Sequence, residues 1–175
     1  GGWVDQVLSR FVDVVISIPT LIFALIVLSS TGTSILSLVT VIAIIYAMPV
    51  YRIARAVAMD IEVMDYVEAA RLRGEGLWWI MRKEILPNAL TPLAAEFGLR
   101  FCFVFLLISG LSFLGLGLQP PLADWGAMVR DNGGGIAWGF MHPLIPATCI
   151  ALLTIGINLI VDSVVQKASG LRKDH

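Results

Sequence analysis

Hydrophobic residues along this chain are gathered into long runs, with the charged residues collected between them. Four runs are long enough to form membrane helices: residues 14–30, 35–51, 93–116 and 143–163. The first two runs contain no charged residue, and each of the others contains at most two. A membrane-spanning helix needs about 20 mostly apolar residues. The pattern therefore predicts an all-α, polytopic membrane protein with four transmembrane helices.

The composition agrees with this pattern. Of the 175 residues, 58% are hydrophobic and only 14% are charged, with a mean hydropathy of +0.87, whereas soluble domains carry about 25% charged residues. A net charge of -1 gives no indication of a nucleic-acid partner. The two cysteines stand alone, and the glycine run at 133–135 lacks the lysine of a phosphate-binding loop. We therefore expect no metal, no cofactor and no catalytic residue.

The chain begins at Gly1 and shows no signal peptide. We expect it to be a piece of a longer protein whose N-terminal part is missing.

The distribution of lysine and arginine predicts the orientation. With four spans, the N-terminal segment, residues 52–91 and the C-terminal tail share one side of the membrane. Ten basic residues lie on that side: Arg10, Arg52, Arg55, Arg71, Arg73, Arg82, Lys83, Lys167, Arg172 and Lys173. The opposite side holds only Arg130. Because basic residues concentrate on the cytoplasmic side, both ends of the chain are expected there, together with the long loop.

The loop 52–91 is patterned like a helix rather than like a disordered connection. Its apolar residues recur at steps of three and four. Asp65 and Glu68 have the spacing of a capping box, and Gly74 stands where a helix end favours a left-handed residue. These signals predict a short helix over residues 66–73.

A second segment of the loop, 77–86, mixes aromatic and basic residues and is expected to stop at Pro87.

In the first helix, the small Ala69 and Ala70 permit close approach by another protein surface. The alternative for both segments is an interfacial helix on lipid headgroups, anchored by tryptophans. Because the loop's six basic and six acidic residues balance, the docking interpretation is favoured for residues 65–74.

The residues of this loop also carry a family resemblance. Glu68, Ala69 and Ala70, with Gly74 four residues beyond and Pro87 thirteen residues after that glycine, resemble the EAA motif of permeases in bacterial ABC-type importers. Further segments resemble the C subunit of dipeptide, oligopeptide and nickel importers: GGWVDQVLSRFVD at 1–13, ILPNALTPL at 85–93, LSFLGLGLQPP at 111–121 and DWGAMV at 124–129.

The resemblance implies a permease subunit in the bacterial inner membrane that forms part of a pathway for peptides or a related small solute. It also implies a coupling helix that docks on a cytoplasmic ATPase. The residues implied in docking are Asp65, Tyr66, Glu68, Ala69, Ala70, Gly74 and Pro87. The implied partners are a second permease subunit, two ATP-binding subunits, an extracytoplasmic solute-binding protein and the lipid bilayer. ATP hydrolysis would belong to the partner, so this chain is not expected to be an enzyme.

Two other functions stay open from the residues alone. An ATPase-independent secondary transporter or channel would favour charges at the membrane midplane, whereas Glu96 and Arg100 lie near the cytoplasmic boundary of their predicted span. These two residues are four apart on one helix face, and we expect a structural or subunit-contact role for them. An intramembrane hydrolase would need paired carboxylates or a nucleophile with its base at depth, and neither is evident.

Overall fold

The computed structural model describes the backbone of residues 2–168 and the side chains of residues 2–166. Within these residues the chain is helical and has no strand. The α-helices are α1 (Trp3–Ile16), α2 (Thr20–Thr31), α3 (Ile35–Glu62), α4 (Asp65–Leu72), α5 (Leu77–Ile80), α6 (Leu86–Phe113), α7 (Trp125–Asn132) and α8 (Leu144–Ala168). A π-helical turn, Met81–Ile85, joins α5 to α6, and a 3₁₀ turn, Gly133–Trp138, follows α7. Three basic residues of the charge count, Lys167, Arg172 and Lys173, lie outside the described side chains.

Three helical stretches are long and apolar enough to cross a membrane: Ile35–Glu62, Leu77–Phe113 and Leu144–Gln166. The count rises to four if α1 and α2 together form one broken span. The chain is thus an all-α, polytopic membrane protein, as the hydrophobic runs predicted.

The predicted span 14–30 is wrong as a single straight helix. The chain breaks after Ile16, and α2 leaves at 83° to α1. Pro19 causes the break because it has no N–H to donate and disfavours a helical conformation in the residue before it. Only the 12 residues of α2 continue the apolar run.

The predicted loop 52–91 is also much shorter in the structure. Helix α3 continues to Glu62, and α5, the π-helical turn and α6 form one helical stretch of 37 residues from Leu77 to Phe113. The prediction that this segment stops at Pro87 is wrong, since Pro87 is the second residue of α6. The π-helical turn directly before it changes the backbone hydrogen-bond pattern, which accommodates the missing N–H without a break. The Asn88 amide supplies a further donor to the Glu84 carbonyl, at 2.6 Å.

The helices pack around two clusters of buried side chains. The first lies among α2, α3 and α6 and contains Ala24, Leu28, Leu38, Val41 and Leu111. The second lies beneath α4 and is described below. Between α6 and α8, Gly98 lets the helices approach so closely that a Cβ there would lie 2.2 Å from Cγ2 of Val161. Such close contact at a small residue is typical of membrane helices.

Candidate docking site

Helix α4 begins one residue earlier than its sequence signals predicted. Met64 has the extended conformation of an N-cap residue and supplies no side-chain cap, so the prediction that Asp65 caps the helix is wrong. Asp65 and Glu68 instead both lie in the first turn. Carboxylates there favour the helix because they face the positive end of its dipole.

Helix α4 ends at Leu72, one residue before its predicted end, and the left-handed conformation predicted for Gly74 is confirmed. Gly74 has a φ of 83°, a conformation that residues with a Cβ rarely adopt. The N–H of Gly74 donates to the Arg71 carbonyl at 3.0 Å, and the N–H of Glu75 donates to the Ala70 carbonyl at 3.2 Å. This pair of bonds is a Schellman motif, so Gly74 turns the chain sharply toward α5.

One face of α4 is completely buried. Val67 and Ala70 are both 0% exposed and pack with Ile61 of α3, Ile80 of α5 and Ala89 of α6. The expectation that Ala70, like Ala69, permits close approach by another protein surface is therefore wrong. Its small side chain lets α4 sit closely on its own neighbouring helices, and burial of this face fixes α4 to the membrane helices.

The other face of α4 is open to solvent. Glu68 and Ala69 are exposed, Tyr66 is 39% exposed and Leu72 is 83% exposed. The carboxylates of Asp65 and Glu68 make no ion pair with any side chain of residues 2–166. This outer face therefore offers an apolar contact, a small residue and free carboxylates to another surface.

Two ion pairs tie α4 and its following turn to the helices on either side. The Arg71 guanidinium lies 2.6 Å from Glu62 at the end of α3, and that of Arg73 lies 3.8 Å from Glu84 in the π-helical turn. Exposed pairs of this kind contribute about 0–1 kcal/mol each. They therefore orient the segment, whereas the buried face supplies most of the attachment.

The structure places six of the seven predicted docking residues on α4 or at its C-terminal turn. Pro87, the seventh, is exposed but lies in the continuous helix that leads into the membrane. It therefore belongs to the element that α4 contacts and not to α4 itself.

The predicted pairing of Glu96 and Arg100 is present on α6. Arg100 Nε donates to Glu96, which is buried. The guanidinium also lies 5.9 Å from the ring centre of Tyr46 on α3 and 5.7 Å from that of Phe103. Cation–π contacts and an ion pair together partly compensate for burying this charge, which supports the structural role expected for the pair.

A long-range ion pair had no sequence signal. Arg55 of α3 binds Asp5 of α1 in bidentate fashion, with both N···O distances at 2.6 Å. The Tyr51 hydroxyl lies 3.5 Å from the same carboxylate. The two residues are 50 positions apart along the chain, so only the folded structure reveals that they pair. The pair attaches α1 to the C-terminal half of α3, which is also the half that contacts α4.

Comparison with known proteins decides the family. A family profile described as "Binding-protein-dependent transport system inner membrane component" matches residues 1–168. The chain belongs to this permease family. Among the residues that the structure describes, no group of three or more His, Cys, Asp or Glu side chains could hold a metal ion.

Named relatives of the permease are peptide transport proteins. The probable D,D-dipeptide transport system permease protein DdpC of Escherichia coli (strain K12) is 33% identical over 165 residues, 94% of this chain and 55% of that protein. The glutathione transport system permease protein GsiD of Pectobacterium atrosepticum is 30% identical over 92% of this chain and 54% of that protein. The di/tripeptide transport system permease protein DppC of Pseudomonas aeruginosa is 34% identical over 89% of this chain and 51% of that protein. The chain spans about half the length of the curated relatives it matches.

Proposed function

We propose that this chain is part of a permease subunit in an ATP-driven importer, and that α4 is its coupling helix. The observation that carries the proposal is the division of α4 into a buried face, with Val67 and Ala70 at 0% exposure, and an open face with Glu68 and Ala69. A docking helix needs both: one face to hold it on the membrane helices, and another to receive the partner.

The attachment of α4 explains how motion would pass from the ATPase to the membrane. The buried cluster joins α4 to α3 and to the 37-residue stretch Leu77–Phe113, which is about 55 Å long at about 1.5 Å per residue. A shift of α4 would therefore move two long helices together. ATP binding can bias such a movement only if the ATPase contacts α4 differently in its two states.

The orientation follows from the basic residues around α4. The C-terminal half of α3 carries Arg52 and Arg55, and the π-helical turn after α5 carries Arg82 and Lys83, whereas the opposite end of the molecule has Arg130. By the positive-inside rule, this distribution supports a cytoplasmic position for α4. Both ends of the chain then face the cytoplasm, and α7 faces outward.

The complete transporter would include a second permease subunit, two cytoplasmic ATP-binding subunits and an extracytoplasmic solute-binding protein in the inner membrane. ATP hydrolysis would take place in the ATP-binding subunits. The cargo is a peptide or a related small solute, in keeping with the names of the relatives. Family membership disfavours the alternative of a transporter or channel that works without an ATPase.

The test uses the full-length protein with its ATPase and compares two exposed acids. Glu68→Ala, on the open face of α4, should lower peptide uptake and ATPase association, because it removes a free carboxylate from the docking surface. Asp60→Ala, on α3, is the matched control and should leave both unchanged; both acids are exposed and unpaired within the described residues. Equal uptake and equal ATPase association in the two variants, at equal amounts in the membrane, would contradict the docking role of Glu68.

A further inference from the structure

The chain between α7 and α8 forms an apolar surface at the end of the molecule opposite α4. We call residues 133–142 the outer segment; it contains the 3₁₀ turn Gly133–Trp138 and leads to Leu144, the first residue of α8. Four of its large side chains are exposed: Ile136 59%, Trp138 81%, Phe140 56% and Met141 71%. Such a group of exposed apolar side chains marks contact with a membrane or with another protein.

The outer segment lies within a long stretch that has no charged residue. Residues 132–161 contain no Asp, Glu, Lys or Arg. The part of this stretch within α8, residues 144–161, is 18 residues long, or about 27 Å at about 1.5 Å per residue. This length is close to the ~30 Å hydrocarbon core of a bilayer. Residues 144–161 therefore suffice to cross the core, and the apolar character of the outer segment has another cause.

The contacts between α6 and α8 place the outer segment at the boundary of the membrane core. The Cys102 thiol donates to the Thr154 carbonyl at 3.7 Å. Gly98, four residues earlier on α6, packs on Val161, seven residues later on α8, so the two helices run antiparallel. Phe113, the last residue of α6, lies eleven residues beyond Cys102, and the same count back from Thr154 leads to the position directly before α8. The end of α6 and the start of α8 are therefore at one level, and the outer segment lies at that level.

The residues of the outer segment suit the headgroup layer of a membrane. Tryptophan is enriched in that layer, where its ring contacts apolar groups while its N–H meets water. The chain passes from Met141 almost directly into α8, whose first residues Leu144 and Ile145 are also exposed, at 48% and 66%. Because α8 crosses the bilayer, the exposed side chains just before it are next to lipid.

We propose that the outer segment is a membrane-contact surface, with Trp138, Phe140 and Met141 in the headgroup layer where α8 enters the bilayer. The leaflet is the one farther from α4, which is the outer leaflet in the orientation proposed above. The segment has no charged residue that would select a lipid by its headgroup. The proposal goes beyond the docking of α4 and does not depend on which solute is carried.

A protein partner, either the solute-binding protein or the second permease subunit, is the competing occupant. A soluble partner that binds and leaves uses a surface about as polar as the rest of the protein, whereas the outer segment has no charged residue. Contacts between membrane subunits favour small residues, whereas the four exposed side chains are large. The composition of the segment therefore favours lipid.

The experiment measures the depth of nitroxide labels in the full-length permease, assembled with its second permease subunit in lipid nanodiscs. A label at position 138 is compared with labels at Leu152, within α8, and at Asp60, an exposed acid on α3. Collisions with oxygen, which enters lipid, and with a water-soluble nickel chelate report the depth of each label. We expect the label at position 138 to meet both reagents and to lie about 12 Å shallower than that at Leu152, because eight residues of helix separate Leu144 from Leu152.

The two collision rates distinguish the occupants. If the label at position 138 meets the nickel chelate as often as the label at Asp60 does, the outer segment lies in water. If it is shielded from both reagents, another subunit covers the segment. Either result would overturn the proposal.

The native tryptophan provides a second measurement in case the label disturbs the segment. The fluorescence lost in Trp138→Tyr belongs to Trp138. Lipids brominated near the headgroup should quench this component more strongly than lipids brominated at the end of the acyl chain. Quenching by neither lipid, or stronger quenching from the chain end, would contradict a position in the headgroup layer.

Discussion

Replacing Val67 with alanine should loosen α4 from the membrane helices without changing its open face. Val67 is 0% exposed, and its replacement removes two methyl groups from the buried cluster. Each buried methyl group contributes about 0.8 kcal/mol, and the cavity left behind adds a small cost. The free energy that holds α4 on its neighbouring helices therefore falls by about 2 kcal/mol. Alanine is the better helix former by roughly 0.5 kcal/mol, which leaves a net cost of about 1.5 kcal/mol.

Hydrogen exchange measures this effect directly. A loss of about 1.5 kcal/mol corresponds to roughly tenfold faster exchange of the α4 amides, measured in the full-length permease without its ATPase. Leu72→Ala is the matched control, because Leu72 lies on the same helix but is 83% exposed, and its exchange should change by less than about twofold. Equal acceleration in the two variants would show that burial of Val67 does not hold α4 in place.

Two further contacts can be tested in the same full-length protein. Gly98→Ala should lower the thermal unfolding temperature in detergent, because its Cβ would meet Val161 Cγ2 at 2.2 Å and overpacking costs about 1–3 kcal/mol. The control is Gly156→Ala, which has no atom within 4 Å of the added Cβ and should not lower that temperature. An equal fall in the two variants would refute the close packing of α6 on α8. Reversing either charge of the pair between Asp5 and Arg55 should speed hydrogen exchange in α1, because the two N···O distances are 2.6 Å. Reversing both charges together should restore the original exchange rate. If the double variant shows no recovery, the two residues do not form a direct pair.

The uninterrupted apolar runs were predicted well, whereas the interrupted one was not. Residues 35–51 lie within α3, and all of 143–163 except its first residue lies within α8, because the only requirement of such runs is enough apolar length to cross the bilayer. The break before α2 could not be predicted, since membrane helices often tolerate a proline such as Pro19 when neighbouring groups satisfy the freed backbone. Hydrophobicity reports where a chain can enter the membrane, but it does not report where the helix bends.

Pro87, at the C-terminal end of the predicted loop 52–91, led to the opposite error. Pro87 was expected to end a helix, yet the π-helical turn Met81–Ile85 lets the helix continue through it. No local sequence signal specifies such a turn, because it depends on how the surrounding helices pack. The extent of the loop was therefore overestimated.

The position of helix α4 was predicted to within one residue, but which of its faces is buried was not. The glycine signal located the end of α4 because only a residue without a Cβ readily adopts the φ of 83° found at Gly74. The burial of Ala70 was missed, since a helical period identifies residues on one face without showing which neighbour covers it. The pairing of Asp5 with Arg55 was missed because it joins residues 50 positions apart.

The central claim is that the open face of α4 docks on an ATPase, and two adjacent alanines test it most directly. A photoreactive amino acid at position 69, where the native alanine is exposed, should capture the ATP-binding subunit in membranes that contain the full-length permease and its partners. The same group at position 70, where the native alanine is 0% exposed, should capture residues of the permease itself. Capture of the ATP-binding subunit from position 69 and not from position 70 is the predicted result. Its absence from position 69 in the assembled complex, with the permease correctly inserted, would contradict the account.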